Sequence, residues 1–487
     1  MAKSKSYNKS YVILIAAIAA FGGLLFGFDT GVISGALLLI KDDPNLVING
    51  MTQLPERTQE WIVSITVLGA AIGALSSGRI TDKLGRKKVL IITAFIFAVG
   101  SVGLAAANSV AALIIWRGII GIAIGVASYT VPLYISEISP THVRGALVSI
   151  NQLAITVGIF VSYLVDLGFA GYEEGWRWMF LVGLVPSLVL FIGMFFLPET
   201  PRWLMNHKSE DDARKVLDRV GEPKRNEVLD QIKINIEKER EQPGIFKVLG
   251  AKWVRPALII GVGIMLVQQL TGINTIIYYS PTIFEMAGFG AETGDPVFNA
   301  ILPSLPIGFV NVLFTVVAIY LIDRWGRKPL LYLGLIGMIV ALLAMGISFT
   351  FYQSVGGAAL KWVSFVSMIV YIPFFAVSLG PIAWVLISEI YPTKIRGLGM
   401  SIATMVNWVA NFLIANTFLS LGRAVTGEMP HPAGDGMLVN PGGAFFIYAV
   451  VGIIGLIFIY SYIPETKGHS LEKIEKHFLD GKHPKEL

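Results

Sequence analysis

The sequence predicts an all-α membrane protein with twelve transmembrane helices, arranged as two pseudo-symmetric bundles of six. Three observations lead to this class. Of the 487 residues, 54% are hydrophobic and only 15% are charged, whereas about a quarter of an ordinary soluble chain is charged. Apolar stretches of the length that an α-helix needs to cross a bilayer recur along the chain. Motifs of the first half also reappear in the second half.

The composition excludes several classes of function. The chain contains no cysteine, so we expect neither disulfides nor thiolate metal sites. Because it has neither a His-Glu-x-x-His pair nor a Walker-type phosphate loop, we predict that it is not an enzyme and uses neither a metal nor ATP. The formal net charge of +5 follows from basic residues between the spans, so we expect no nucleic-acid partner.

Hydrophobic runs between charged or Pro/Gly-rich breaks define the individual spans. The run that begins at Tyr11 is longer than a signal-peptide core and lacks a cleavage site, so it is expected to be retained as the first span. The predicted spans of the first half cover residues 11–40, 60–80, 89–107, 111–134, 147–168 and 177–197. Those of the second half cover residues 254–280, 300–322, 329–351, 362–388, 398–421 and 442–463.

The charges between the spans predict the orientation and the domain boundaries. Gly78 to Lys88 is rich in basic residues, whereas the next connection carries no charge, so both termini are predicted to be cytoplasmic in a bacterial-type inner membrane. After the sixth span, Ser209 precedes an amphipathic pattern that predicts a capped helix in a cytoplasmic linker, rather than a dedicated regulatory site. The predicted domains are an N-terminal bundle over 1–197, the linker over 198–253, a C-terminal bundle over 254–463 and a cytoplasmic tail over 464–487.

Internal repetition relates the two halves. Ile135 to Gly145 reappears as Ile387 to Gly397, with eight of eleven positions identical. Shorter repeats relate Asp82 to Lys87 with Asp323 to Lys328, and Pro198 to Thr200 with Pro464 to Thr466. Two such halves are expected of an alternating-access transporter that binds its substrate near the middle of the membrane.

Charged side chains at the predicted cytoplasmic helix ends recur in both halves. They are Arg79, Asp82, Arg86, Glu137, Arg144 and Glu199 in the first half, and Asp323, Arg327, Glu389, Arg396 and Glu465 in the second. Arginine–carboxylate pairs are directional, so a network of them can close the cytoplasmic side in one state and separate in another. The alternative is that these charges serve only membrane topology and snorkel to the interface.

Two ionisable residues are predicted to lie at membrane depth. Asp29 falls within the first span and Arg117 within the fourth. Because such residues are costly in a membrane, we expect them to pair, and protonation of Asp29 would release Arg117. The pair is therefore a candidate proton switch, with a static structural ion pair as the alternative.

Amide side chains form a second candidate site. They are Gln152, Gln268, Gln269, Asn274, Asn311, Asn407 and Asn411. Amides both donate and accept hydrogen bonds, which suits a neutral polyhydroxylated ligand. Flat apolar faces for the C–H side of a ring would come from Tyr278, Tyr279, Phe375 and Trp384. The alternative is that single amides only join neighbouring helices. Gly272 and Gly380 interrupt the seventh and tenth spans, where breaks permit gating bends.

These motifs resemble the sugar porter family of the major facilitator superfamily over nearly the whole chain. Gly78 to Lys88 resembles the loop motif of that family, and Arg117 with the glycines that follow resembles its fourth-span motif. The other matching segments are Pro132 to Gly145, Pro198 to Trp203, Gln268 to Asn274, Gly380 to Trp384 and Pro464 to Gly468.

The resemblance implies the major facilitator fold and roles for individual residues. It implies that sugar is bound by Gln152, Gln268, Gln269, Asn274, Asn311, Trp384 and Asn411, and that Phe26, Tyr278, Phe375, Asn407 and Trp408 complete the wall. Proton-coupled members of the family have an aspartate where Asp29 stands, so symport with Arg117 as its partner is implied. We expect no cofactor beyond the coupling proton. We also expect the protein to contact membrane lipid and to function as a monomer.

Two departures from the family pattern bear on the substrate. Ile159 stands where xylose-carrying bacterial relatives have glutamine, and Ala376 stands where animal glucose carriers have glutamate. The chain is therefore predicted to be a proton-coupled monosaccharide symporter of the glucose type. A passive uniporter and a proton symporter for inositol or a pentose such as xylose remain alternatives. The short tail after Pro464 disfavours a sugar sensor.

Overall fold

The protein was examined as a computed structural model, which describes residues 7–47, 53–140, 143–240, 254–291, 294–392, 395–432, 436–469, 471–479 and 484–486. Within these ranges, twelve helical segments are long and apolar enough to cross a membrane. The predicted all-α membrane fold with twelve spans is therefore confirmed.

The first six spans form the N half of the molecule. They are α1 (Lys9–Ile40), α2 (Glu56–Leu84), α3 (Arg86–Ala105), α4 (Val110–Ile138), α5 (Arg144–Phe169) and the consecutive helices α6 (Gly175–Val182) and α7 (Leu184–Phe196). Local signals fix several ends: the Ser109 hydroxyl accepts a hydrogen bond from the backbone N–H of Ala112 and caps α4. Gly85, with φ of 91°, separates α2 from α3.

Three polar helices follow the N half. They are α8 (Pro201–His207), α9 (Glu210–Val220) and α10 (Arg225–Arg240). The Ser209 hydroxyl accepts from the backbone N–H of Asp212 and caps α9 where the sequence predicts a capped helix. Residues 241–253 of the predicted linker lie outside the described residues.

The remaining spans form the C half. They consist of α11 (Val254–Leu270), α12 (Ile273–Met286), α13 (Pro296–Ile301), α14 (Ser304–Trp325), α15 (Arg327–Thr350), α16 (Tyr352–Val355), α17 (Gly357–Ala376), α18 (Leu379–Ile390), α19 (Arg396–Ala415), α20 (Phe418–Thr426) and α21 (Gly442–Tyr462). Strands β1 (Glu428–Pro430) and β2 (Met437–Val439) pair as a short antiparallel hairpin. Helix α22 (Leu471–Leu479) lies in the tail.

Four predicted spans of the C half, 254–280, 300–322, 362–388 and 398–421, are each divided in the structure. The seventh is broken between α11 and α12, where Gly272 adopts the left-handed conformation with φ of 91°. The eleventh span lies where it is predicted but is shorter than the range 398–421, because α19 ends at Ala415 and α20 begins only at Phe418. The side chain of Asn416, at this break, donates to the Ser64 hydroxyl of α2, so the end of α19 contacts the other half.

Close helix packing within the N half depends on small residues. A Cβ atom at Gly27 of α1 would collide with the backbone oxygen of Ile155 in α5, and one at Gly125 of α4 would collide with that of Ala70 in α2. Small residues let membrane helices approach until their backbones touch. We call the end of the bundle at which α1 begins and α21 ends the terminal side, and the opposite end the far side.

Candidate functional site

Asp29 and Arg117 form a buried ion pair in the N half. Arg117 Nη2 lies 3.8 Å from Asp29 Oδ2, and the two side chains are 1% and 6% exposed. Arg117 Nε also donates to the backbone oxygen of Ile62 at 2.6 Å, and Nη2 to that of Val63 at 3.4 Å. The guanidinium is thus bonded to α2, while its counter-charge is on α1 and lies beyond direct hydrogen-bond distance.

A cavity of about 10 Å³ connects this ion pair with the C half. It is lined by side chains of both halves, which include Asp29, Arg117 and Phe26 from the N half and Tyr278 and Trp408 from the C half. Its volume matches the space that one water molecule needs. Asp29 and Tyr278 therefore face the same small cavity, so the charge of Asp29 acts on Tyr278 at short range.

Four of the seven candidate amides form a hydrogen-bonded cluster in the C half. Asn407 Nδ2 donates to Gln268 Oε1 at 2.6 Å, and Gln269 Nε2 donates to Asn407 Oδ1 at 3.1 Å. Asn274 Nδ2 donates to Gln269 Oε1 at 2.6 Å. The cluster therefore joins α11, α12 and α19, and it presents both donors and acceptors.

The helix breaks of the C half bring backbone groups into this cluster. Gln268 Nε2 donates to the backbone oxygen of Leu379 at 2.8 Å, the first residue of α18 after the break that follows α17. The Tyr371 hydroxyl of α17 donates to the backbone oxygen of Thr271 at 3.0 Å, at the break between α11 and α12. Carbonyl groups at the end of a helix lack helical partners, and the Tyr371 hydroxyl satisfies that of Thr271, just after α11 ends.

The aromatic candidates lie at different places around the amide cluster. The Phe26 and Trp408 rings meet across the two halves with centroids 5.8 Å apart. Asn411 Nδ2 lies 3.5 Å from the Tyr278 hydroxyl, and its Oδ1 is buried with no hydrogen-bond partner in the structure. Tyr278 therefore contacts both the ion-pair cavity and the amides.

The remaining predicted site residues are less enclosed. Gln152 is exposed on α5, on the helix face that also carries Tyr163, whose hydroxyl donates to Ile277 of the C half. Trp384 on α18 is 39% exposed. Phe375 is half-buried at the end of α17, and Asn311 is buried on α14. None of these four forms a hydrogen bond with the amide cluster among the described residues.

The charged residues at the terminal side form the same arrangement in both halves. Arg86 Nη2 contacts Glu137 Oε1 at 3.0 Å, and Glu199 Oε1 accepts from the backbone N–H of Arg86 at 3.1 Å. Arg327 and Glu389 repeat the pair at 2.9 Å, and Glu465 accepts from the N–H of Arg327 at 3.0 Å. Glu199 thus caps the N-terminus of α3, and Glu465 caps that of α15.

Burial raises the pKa of Glu199 above its usual value, although Arg86 and backbone N–H groups oppose the shift. Asp82 adds a contact with Arg86 at 3.2 Å, and Arg396 donates to the backbone oxygen of Tyr391. Arg79 and Arg144 are exposed, and the side chain of Asp323 lies outside the described part of the structure. The described pairs join helices within one half, so they hold each half together on this side.

Contacts between the halves are found toward the far side. Lys41, just after α1, contacts Glu285 of α12 at 2.6 Å. The buried Glu60 of α2 accepts from the backbone N–H and the hydroxyl of Ser420 at 2.8 and 2.9 Å. Arg423 of α20 contacts Glu56 at 2.5 Å. The far side is therefore closed by ion pairs and hydrogen bonds that cross from one half to the other.

Asp166 was missed by the reasoning from the sequence. It is fully buried on α5, and its position inside the predicted span 147–168 is a signal of the same kind as that of Asp29. Lys41, Glu60 and Glu285 were missed for a different reason: they lie near helix ends, where charged residues are ordinary.

The molecule consists of two six-helix halves that contain buried polar clusters, and the halves are closed against each other at one side. This arrangement defines a membrane transporter of the alternating-access class. The family model described as "Sugar (and other) transporter" matches residues 15–478. The chain belongs to this family, the sugar porters of the major facilitator superfamily, as its motifs led us to expect. It is therefore a multi-pass membrane protein that transports sugar and is not an enzyme.

Similar proteins cover the full length of the chain. The galactose-proton symporter of Escherichia coli K12 is 39% identical over 99% of this chain and 97% of its own length. The glucose transporter GlcP of Staphylococcus epidermidis is also 39% identical, over 96% and 97%. Among solved structures, the inward open conformation of the xylose transporter XylE from E. coli matches with a TM-score of 0.76 at 31% identity, over 96% of this chain and 99% of that chain.

Proposed function

We propose that the protein is a proton-coupled symporter for a monosaccharide of the glucose type. The observation that carries the proposal is the position of Tyr278, which lines the small cavity with Asp29 and Arg117 and lies 3.5 Å from the amide of Asn411. A change of charge at the ion pair and a ligand bound at Asn411 therefore both act on the Tyr278 side chain. Relatives named as a galactose-proton symporter and a glucose transporter support this assignment.

The amide cluster supplies the sugar site. Gln268, Gln269, Asn274 and Asn407 already satisfy one another, so hydroxyl groups of a sugar can replace these mutual hydrogen bonds without leaving buried groups unpaired. Asn411, with its unpartnered oxygen, accepts a further hydroxyl. Phe26, Trp408 and Tyr278 provide flat faces for the apolar side of the ring. Gln152, Asn311, Phe375 and Trp384 complete the site in our proposal.

Asp29 supplies the proton site. When Asp29 is ionised, its charge holds α1 against Arg117, which is itself bonded to α2. Protonation removes the attraction, and Arg117 keeps only its backbone partners. Helix α1 is then free to shift relative to α2 and α4, which gives the proton a means to change the relative positions of the halves.

The terminal side faces the cytoplasm in this proposal, because the basic loop Gly78 to Lys88 and the polar helices α8 to α10 lie there. The structure then corresponds to a state closed on the outside. The opposite state requires the far-side contacts to break and the halves to meet at their charged terminal ends. Both polar clusters belong to one chain, so we propose that a monomer in the cell membrane is sufficient and that the proton is the only coupling agent.

The test is uptake of radiolabelled glucose into proteoliposomes under an imposed inward proton gradient, with and without an uncoupler. A symporter accumulates glucose transiently above equilibrium, and the uncoupler abolishes this overshoot. Equilibration without an overshoot would instead show a passive uniporter. If glucose gives no signal, galactose, xylose and inositol are measured in the same vesicles. A proton-driven overshoot with xylose or inositol alone would overturn the glucose assignment and retain symport.

A further inference from the structure

Asp166 is a buried acid without a charged partner among the residues that the structure describes. It lies on α5, one turn before the far end of that helix, and is fully buried. Its Oδ2 accepts a hydrogen bond from the backbone N–H of Gly35 in α1 at 3.1 Å. Its Oδ1 is buried with no hydrogen-bond partner in the structure. An ionised carboxylate in such a place costs several kcal/mol, so the neutral acid is the form that fits this site.

The charged groups around Asp166 are each occupied elsewhere. The ionisable side chains on the elements near this end of α5 are Asp29 on α1, Lys41, Asp42 and Asp43 in the turn after it, Glu285 on α12, Asp295 at the start of α13, the Glu174–Arg177 pair of α6, and Tyr163 on α5 itself. Lys41 is paired with Glu285, and Arg177 with Glu174. Asp295 caps its own helix through the N–H of Val297. No cation among these groups compensates a charge on Asp166.

A short helix of the C half covers Asp166 from the far side. Leu38 and Ala170, each about one turn farther toward that side, form an apolar cluster with Ala300 and Ile301 of α13. Tyr163, one turn before Asp166 on α5, donates to the backbone oxygen of Ile277 in α12 at 3.1 Å. Both contacts cross between the halves, so they separate when the far side opens, and water then reaches Asp166.

We propose that Asp166 is a second proton-binding group, which takes up a proton from the far side as that side closes and returns it there when the side reopens. The proton is enclosed with the carboxyl by α13 and is not carried across the membrane. Asp166 thus differs from Asp29, which faces the cavity shared with Tyr278. The inference rests on the alternating-access part of the proposed function and does not require coupling at Asp29.

The proposal has a quantitative consequence. If the closed state binds one proton more than the open state, the ratio of closed to open molecules falls about tenfold for each unit of increasing far-side pH. This holds at pH values above the pKa of an aspartate exposed to water, about 3.9, and below the pH at which the enclosed carboxyl group of the closed state also loses its proton. Asp166→Asn keeps an acceptor for Gly35 N–H and resembles the neutral acid, so it preserves closure and removes the pH dependence.

The experiment uses the absence of native cysteine. Cysteines introduced by Ala106→Cys and Ser354→Cys, both at exposed far-side positions of opposite halves, carry spin labels whose separation reports opening. The fraction of short distances is measured against pH without sugar, in Asp29→Asn and in Asp29→Asn/Asp166→Asn, so that titration of Asp29 does not contribute. We expect a steep loss of the short distance with rising pH in the former and a flat profile in the latter.

Equal pH profiles in the two backgrounds, or flat profiles in both, would overturn the role of Asp166. Addition of sugar provides the check on alternating access: a label distance that sugar and pH both leave unchanged would contradict alternation itself. A second measurement does not depend on Asp166→Asn folding. In the wild-type protein, the infrared carbonyl band of a neutral carboxylic acid should persist at neutral pH and should remain in Asp29→Asn; its absence from both would also overturn the proposal.

Discussion

The N and C halves share their terminal-side caps but differ in their interiors. Arg86, Glu137 and Glu199 are matched by Arg327, Glu389 and Glu465 with contact distances equal to within about 0.1 Å. The interior of the N half contains buried ionisable side chains on long helices, Asp29 on the 32-residue α1 and Arg117 on the 29-residue α4. The interior of the C half contains buried amides next to the breaks that follow α11 and α17.

This difference indicates a division of labour within a repeated architecture. A charge needs a fixed partner, because loss of the partner in a low-dielectric interior is costly, and continuous helices hold Asp29 and Arg117 in place. A sugar site must open and close, and broken helices can bend at their breaks. The duplicated caps keep each half intact while the halves move.

The largest effect is expected when the Asp29–Arg117 ion pair of the N half is broken. Arg117→Leu leaves Asp29 buried without its counter-charge, so we expect a loss of about 3–5 kcal/mol in stability. Asn407→Leu, the matched change in the C half, should cost only about 1–3 kcal/mol, because it leaves neutral amides unpaired. Thermal unfolding in detergent compares the two. The double variant Asp29→Asn/Arg117→Leu should recover part of the loss, and equal costs for the two single variants would remove the contrast between the halves.

The next effect tests the equivalence of the caps. Gly85 and Gly326 both have φ of 91°, and each faces the carboxylate of the capping glutamate. Gly85→Ala and Gly326→Ala should each destabilise the protein by about 1–3 kcal/mol, through backbone strain and collision with that carboxylate. Gly145→Ala, at a position with no atom within 4 Å of the added Cβ, is the control. A large effect in only one half would show that the caps have diverged.

A smaller effect concerns sugar affinity. Gln269→Ala removes hydrogen bonds to Asn407 and Asn274, so the apparent KM for sugar should rise about 5- to 30-fold, equivalent to about 1–2 kcal/mol. The dependence of uptake on the proton gradient should be unchanged, since Asp29 and Arg117 are intact. Loss of gradient dependence in this variant would contradict the separation of the two sites.

The smallest effect is expected at Gln152. It is exposed on the N-half side and is not held by the amide cluster, so Gln152→Ala should raise the apparent KM by less than about tenfold, which corresponds to one hydrogen bond. Initial uptake rates over a range of sugar concentrations measure this change. Normal uptake in both Gln152→Ala and Gln269→Ala would refute the proposed cavity.

Residue type and periodicity were sufficient for some features of the protein and insufficient for others. Twelve spans, the break at Gly272 and the gathering of Gln268, Gln269, Asn274 and Asn407 could be predicted, because hydropathy, glycine and amide chemistry are local properties. The contact of Asn416, at the end of α19, with Ser64 could not, because the two residues are 352 positions apart in the sequence.

The far-side closure was equally inaccessible from the sequence. Lys41 and Glu285 are 244 residues apart, and neither side chain looks unusual at a helix end. Asp166 could have been recognised, because a carboxyl group inside a predicted span is a functional candidate by position alone. The state of the molecule, closed at one side, is a property of packing between halves and has no local sequence pattern.

The most direct test of the division between the halves compares two modes of transport in the same proteoliposomes. Asp29→Asn is measured for glucose counterflow without a gradient and for accumulation under an inward proton gradient, with Asp211→Asn on the exposed face of α9 as the matched control. We expect Asp29→Asn to retain counterflow and to lose accumulation, while Asp211→Asn retains both. Accumulation of glucose by Asp29→Asn to the level of the wild type would contradict it.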